Sequence, residues 1–313
     1  MRAFEFLLED PKIKSQTLRA LGKLPDDNPI FSNVYKMLVG GPLSTRIENY
    51  INNRQDQDAI KAMKWLVQNI PTVGSAQEVK AFLNNFQTPD YDYVDTKKLA
   101  PSNGMEAPAD LGILVDDPFA QKLFDKIFQE FQGKGDAGPG EAALAIMSPN
   151  ITYGSPGDIV VAGKKVEVKA SRGSGKAGRI WDMPLNQKPM VDILSQLNIT
   201  NFTVMQGTQP FPDDNLKDDF IREACICWFG KPIPSLQKSF GTDAFKDQWQ
   251  ALVFDTYKAH GGWEGMLALG VKTYQYITTG QQFAQDMKKA NQGSICRATA
   301  KQSRELAPQV YIA

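Results

Sequence analysis

The chain has 313 residues, the length of one large domain or two modest ones. It is 42% hydrophobic and 22% charged, with 5 Trp, 9 Tyr and 17 Phe, which is enough apolar material for a core and too much for a disordered chain. Lys and Arg number 35 and Asp and Glu 35, so nucleic-acid binding, if present, has to come from a local patch and not from a global positive field.

The opening MRAFEFLLEDPK holds one apolar cluster but neither the long apolar core nor the small-residue cleavage site of a signal peptide. No stretch reaches the roughly 18 uninterrupted apolar residues of a membrane span. The expectation is a cytoplasmic or virion-associated soluble protein, neither secreted nor in a membrane. Three cysteines, Cys225, Cys227 and Cys296, are an odd number and argue against a disulfide framework. A C-x-C pair with the single His260 is too little for zinc, so buried thiols are expected.

The first third reads as a helical N-terminal region over 1–90. Ser44 and Thr45 cap a short helix through Ile51, and a second helix spans Asp56 to Ile70 until Pro71 stops it. Ser75 to Phe86 follows, with Val79, Phe82 and Leu83 on one face. From 91 to 116, prolines, aspartates and little apolar periodicity predict a linker or a long surface excursion. Beyond it, Phe119 to Phe131 is an amphipathic helix, and Glu141 to Met147 a second one after a glycine-rich break. A hairpin is predicted over Asp158 to Lys169 and a helix over Pro189 to Leu197. A strand follows at Asn201 to Gln206, then helices at Leu216 to Phe229 and Ala244 to Lys258. Met266 to Ile277 forms a hairpin around Gly270, and Gln309 to Ile312 a closing strand. This order predicts an α/β or α+β domain over 117–313.

The chemistry concentrates in one hairpin. With an even-length turn at Ala162-Gly163, residues whose numbers sum to 325 face each other, so Asp158 lies opposite Glu167. Strand alternation puts Ile159, Val161, Val166 and Val168 on an apolar face and Asp158, Glu167 and Lys169 on a polar one. Two carboxylates facing each other at roughly 5 Å repel, so a cation belongs between them. Lys169 supplies one charge, and a divalent metal held by oxygen ligands would supply the rest. Glu141, in the first turn of the preceding helix, suits a helix N-terminus on electrostatic grounds alone and equally offers a third acid. The chain carries its own control: Glu78-Val79-Lys80 is the same tripeptide in a predicted helix, where it reads as a solvated face.

Glu141 on a helix, Asp158 entering a hairpin and Glu167-Val168-Lys169 on its second strand resemble the PD-(D/E)XK nuclease superfamily, including its phage-encoded members. Gly157, not proline, precedes the aspartate, with Pro156 one residue earlier. The resemblance covers about residues 117 to 210. It implies a restriction-endonuclease-like core, a mixed central sheet flanked by helices in the order helix, three strands, helix, strand. It implies Mg²⁺ or Mn²⁺ held by Glu141, Asp158, Glu167 and the Val168 carbonyl. Glu141, Asp158, Glu167 and Lys169 would form the catalytic set, with Lys169 beside the attacking water and the scissile phosphate.

From Lys164 to Arg179 there are six Lys and Arg against one acid. Arg172, Lys176 and Arg179 lie in a glycine-rich loop suited to following a phosphate backbone, although a solvated loop has the same composition. The loop has no Walker A spacing, which argues against nucleotide hydrolysis. Gln187 stands where related nucleases sometimes place a polar site residue. Trp181 and Trp263 could stack on bases, but tryptophans more often belong to cores. The expected function is a metal-dependent deoxyribonuclease acting on DNA, with an RNA-processing enzyme as a third reading and a homo-oligomer or virion proteins as further partners. The alternative is a structural or DNA-binding component of a virion or nucleoprotein machine that keeps the fold.

Overall fold

The computed structural model describes residues 65–66, 68–86, 88, 91–113, 116–131, 138–154, 157–172, 176–180, 196, 243–290 and 309–311. Helix 68–73 runs through Pro71, where a stop was predicted, and ends two residues later. A proline's φ is itself helical, so the final turn tolerates the lost N–H. Helix α1 (Ala76–Phe86) is opened by a capping box: the Ser75 Oγ accepts the Glu78 N–H, and the Glu78 carboxylate accepts the Ser75 N–H at 2.7 Å. Val79, Phe82, Leu83 and Phe86 are its buried face.

The stretch expected to be a linker or excursion is instead packed into the molecule. Tyr93, Val94, Leu99 and Leu111 are buried, and the Tyr93 ring stacks on Phe82 at 5.0 Å. Asp95 caps the short helix α2 (Thr96–Leu99), and strand β1 (Ala109–Asp110) joins the edge of the sheet, followed by a 3-10 turn at Leu111–Ile113. The apolar residues here follow no helical or strand period, so the sequence pattern hides their burial.

Helix α3 (Pro118–Glu130) starts at Asp117, whose carboxylate accepts the N–H groups of Phe119 and Ala120. Helix α4 (Pro139–Met147) is buried from Gly140 to Met147. A Cβ on Gly140 would lie 2.7 Å from the Leu269 side chain and 3.2 Å from that of Ala170, so the glycine lets this helix lie against the sheet. Then come strands β2 (Ile151–Tyr153), β3 (Ile159–Val161), β4 (Lys164–Ala170) and β5 (Lys176–Arg179). Helix α5 (Asp243–Gly261), strands β6 (Gly265–Leu269) and β7 (Thr273–Ile277), helix α6 (Gly280–Ala290) and strand β8 (Gln309–Tyr311) complete the described elements.

The main sheet has six strands in the order β1-β7-β6-β4-β3-β2. Strand β4 pairs parallel with β6 and antiparallel with β3, while β5 and β8 form a separate pair. One cluster buries Ile151, Ile159, Val161, Val166, Val168, Leu267, Leu269, Tyr274 and Tyr276 with the apolar residues of α1, α3 and α4. The alternate residues, Met266, Ala268 and Ile277, are buried outside that cluster, as are Trp249, Val253 and Phe254 of α5 and Phe283 of α6. Helices therefore cover both faces of a mixed sheet, the α/β arrangement expected.

The sequence reading lacked β2, α2, β1 and α6, each too short or too polar to announce itself. Predicted elements at Ser44 to Ile51, Asn201 to Gln206 and Leu216 to Phe229 lie outside the described residues, as do the three cysteines and all of Pro189 to Leu197 save Gln196. Among the described residues no helix is long and apolar enough to cross a membrane.

Candidate active site

The hairpin turns at Ala162 and Gly163, both with positive φ (50° and 83°), the geometry of a two-residue primed turn. The ladder pairs Val161 with Lys164, Val160 with Lys165 and Ile159 with Val166, the register predicted from the sequence. It stops there. Gly157 has φ 84°, and a Cβ on it would meet the Val166 backbone at 3.1 Å. A proline, with φ near −65°, could not take this place. The chain bends, and the Asp158 N–H donates to the Val166 carbonyl, one residue short of Glu167.

Asp158 therefore does not pair with Glu167 in a regular ladder. Its carboxylate accepts the N–H of Val168 at 2.7 Å, and that N–H belongs to the peptide linking Glu167 to Val168. The expected cation on Glu167 is Lys169, whose ammonium lies 2.8 Å from Glu167 Oε1. The two side chains are 10% and 16% exposed, so the pair is shielded but reachable. Val168 turns to the opposite face and into the core.

Tyr257, in the last turns of α5, donates its hydroxyl to the same Oε1 at 2.8 Å, and the Lys169 ammonium sits 6.0 Å from its ring centre. This residue escaped the sequence reading. Its helix was predicted, but which strand the helix covers follows only from the β4 to β6 crossover. In register with Glu167 and Lys169 on β6 are Met266 and Ala268, so both polar side chains share the sheet face that α5 covers.

Glu141 is buried at the start of α4, and its carboxylate accepts the Gly138 N–H at 2.9 Å, so it serves the helix terminus. Among the described residues, no group of three or more His, Cys, Asp and Glu that could hold a metal ion is present. The tripeptide Glu78-Val79-Lys80 behaves as predicted: it lies in α1 with Val79 inward and both charges exposed. Ser75 holds the Glu78 carboxyl below its ordinary range by backbone and side-chain hydrogen bonds.

The basic segment is only partly a loop. Arg172 is exposed and donates to the Phe131 carbonyl at the end of α3, and Lys176 to Arg179 form β5. Gln187 and Trp181 lie outside the described residues. Trp263 is no stacking platform: it is buried, with its ring edge-on to Phe254 and Tyr257. Set against protein-family models, curated proteins and solved structures, the chain matches none.

Proposed function

We propose that the chain is a divalent-metal-dependent deoxyribonuclease on a restriction-endonuclease-like core. One observation carries the reading: the Asp158 carboxylate is bonded to the Glu167-Val168 peptide while Lys169 sits on Glu167, so an acid, a second acid and a lysine converge at one interior strand. Among the described residues the order α4, β2, β3, β4, β5, α5, β6 supports it, containing the helix, three strands, helix and strand of the superfamily with β5 added, a strand that pairs with β8 outside the main sheet. Lys169 is the last residue but one of β4 and Glu167 its middle residue, so the polar face leads toward the carboxyl end of the parallel strands, the edge where open α/β sheets take ligands.

The donor set fits a hard cation. Asp158, Glu167 and the Val168 carbonyl are all oxygen ligands, and Mg²⁺ commonly takes one or two carboxylates and fills its remaining positions with water and phosphate. Backbone groups alternate along a strand, so the Val168 carbonyl points toward β3, the side on which its N–H meets Asp158. Bound there, Mg²⁺ or Mn²⁺ would acidify a water and offset charge on the phosphate. Lys169, released from Glu167, would hold a phosphate oxygen as negative charge develops on it. Arg172, Lys176 and Arg179, just past β4, would hold the DNA backbone. Glu141 would join this set through Oε2, because the Gly138 N–H occupies Oε1.

A second reading, a structural or DNA-binding component of a virion or nucleoprotein assembly, is favoured by the engagement of Glu141 as a cap. The deciding experiment incubates purified protein with Mg²⁺ or Mn²⁺ and circular or linear DNA, each single- and double-stranded. Cut circles establish an endonuclease, and degradation of linear DNA alone an exonuclease. Tight binding without cleavage under any metal favours the second reading.

A further inference from the structure

Glu167 Oε1 accepts two hydrogen bonds at 2.8 Å, one from Lys169 and one from the Tyr257 hydroxyl. The two donors differ in freedom. Lysine reaches through a flexible four-carbon stem, whereas a tyrosine hydroxyl is placed by two torsions. The Tyr257 ring is held further by an edge contact with Trp263 at 5.5 Å, and Trp263 packs in the same way on Phe254 of α5 at 5.4 Å. Drawing the Lys169 ammonium onto a phosphate oxygen shares its three donors between two anions and loosens its hold on Glu167. A glutamate held by that lysine alone would then lose its orientation.

We propose, on the nuclease reading above, that Tyr257 is a positioning residue: its hydroxyl keeps the Glu167 carboxylate aimed while Lys169 moves to the phosphate. The ring, lying beneath the ammonium, keeps Lys169 over the site during that exchange. A hydrogen bond from an outer residue to a metal-binding carboxylate has this function in metal sites generally.

The test is Tyr257→Phe, which removes one oxygen and keeps the ring and its Trp263 contact. Loss of such an outer partner should weaken Mn²⁺ binding, measured by titration calorimetry, by roughly 10-fold or more. The single-turnover cleavage rate should fall by about the same factor, while DNA affinity without metal and the melting temperature of the metal-free protein stay close to wild type. In a Glu167→Gln background the same substitution should have no further effect. Mn²⁺ binding and cleavage unchanged in Tyr257→Phe overturn the role of Tyr257 and leave the nuclease reading standing. A wild-type protein that neither binds Mn²⁺ nor cuts DNA overturns both. A Tyr257→Phe protein that melts far below wild type shows the hydroxyl to be structural and overturns the positioning role.

Discussion

Asp158 and Val168 are joined by a 2.7 Å hydrogen bond from the Val168 N–H to the Asp158 carboxylate, at the point where the β3-β4 ladder has already ended at Ile159 and Val166. The side chain replaces the backbone as the acceptor from β4, so the acid is fixed to the strand that carries Glu167 and Lys169. Its orientation is therefore a product of the bend at Gly157.

On the proposed reading, saturating Mn²⁺ raises the melting temperature of the wild-type protein. Metal at about a hundredfold its dissociation constant contributes roughly 2.7 kcal/mol when only the folded state binds it. Asp158→Asn keeps an acceptor for the Val168 N–H and removes the charge. The metal-free fold should hold, and most of the Mn²⁺ gain should vanish in a thermal melt. An equal gain in the variant removes Asp158 from the metal site.

The hairpin turn should respond to left-handed propensity alone. Ala162 occupies φ 50°, a region that costs a residue with a Cβ roughly 1–2 kcal/mol and that asparagine tolerates better. Ala162→Asn should raise stability by about 0.5–1 kcal/mol in urea titration. Gly163→Ala should lower it by roughly 1 kcal/mol, although a Cβ there meets nothing within 4 Å. No change in either variant would mean that the turn has another geometry in solution.

These turn positions also show what the sequence could reveal. Alternating apolar residues around Ala162-Gly163 carry the register and the faces, because a period of two and a two-residue turn are local rules. The helix caps at Ser75 and Asp117 obey local rules too, although the sequence pattern predicts only the helices they open. The bend at Gly157 was not legible: a glycine's φ depends on how closely Val166 approaches it from across the ladder. Nor was the Tyr257 to Glu167 bond, which spans ninety positions and requires the crossover to be known. The stretch 91–113 failed for a related reason, since Tyr93 and Leu99 are buried by what packs on them and not by a repeating pattern.

Tyr276 should limit stability at alkaline pH. Burial, and then the Glu264 charge, push its phenol up from 10.0 to about 12. The neutral form is favoured in the folded state, so this contribution is complete below pH 10.0 and is lost as pH rises from there through about 12. Tyr274 is shifted in the same direction. Across that window the melting temperature of the wild type should fall relative to that of Tyr276→Phe. Parallel curves would show that Tyr276 ionises equally in the folded and unfolded chain.

Catalysis and DNA binding should separate by residue. Lys169 acts, on the proposed reading, where charge develops, so Lys169→Ala should lower the single-turnover cleavage rate strongly while DNA affinity stays within a few-fold. Replacing Lys176 and Arg179 together should instead weaken binding, and each lost phosphate contact should reduce the slope of log K against log salt by about one unit. Arg172 differs from both because its guanidinium also holds the Phe131 carbonyl at the end of α3. Arg172→Ala should therefore lower the melting temperature as well as the affinity, and Arg172→Lys should recover the salt slope better than the stability. Glu78 and Lys80 supply the internal control. Lys80→Ala should change neither cleavage nor binding, and Glu78→Ala should cost the capping box at Ser75 and the exposed Lys122 pair without touching either activity. Normal cleavage by Lys169→Ala would end the catalytic role of the lysine. A wild-type protein that binds DNA with a steep salt slope yet never cuts it would leave the basic segment its function and make the protein a DNA-binding component.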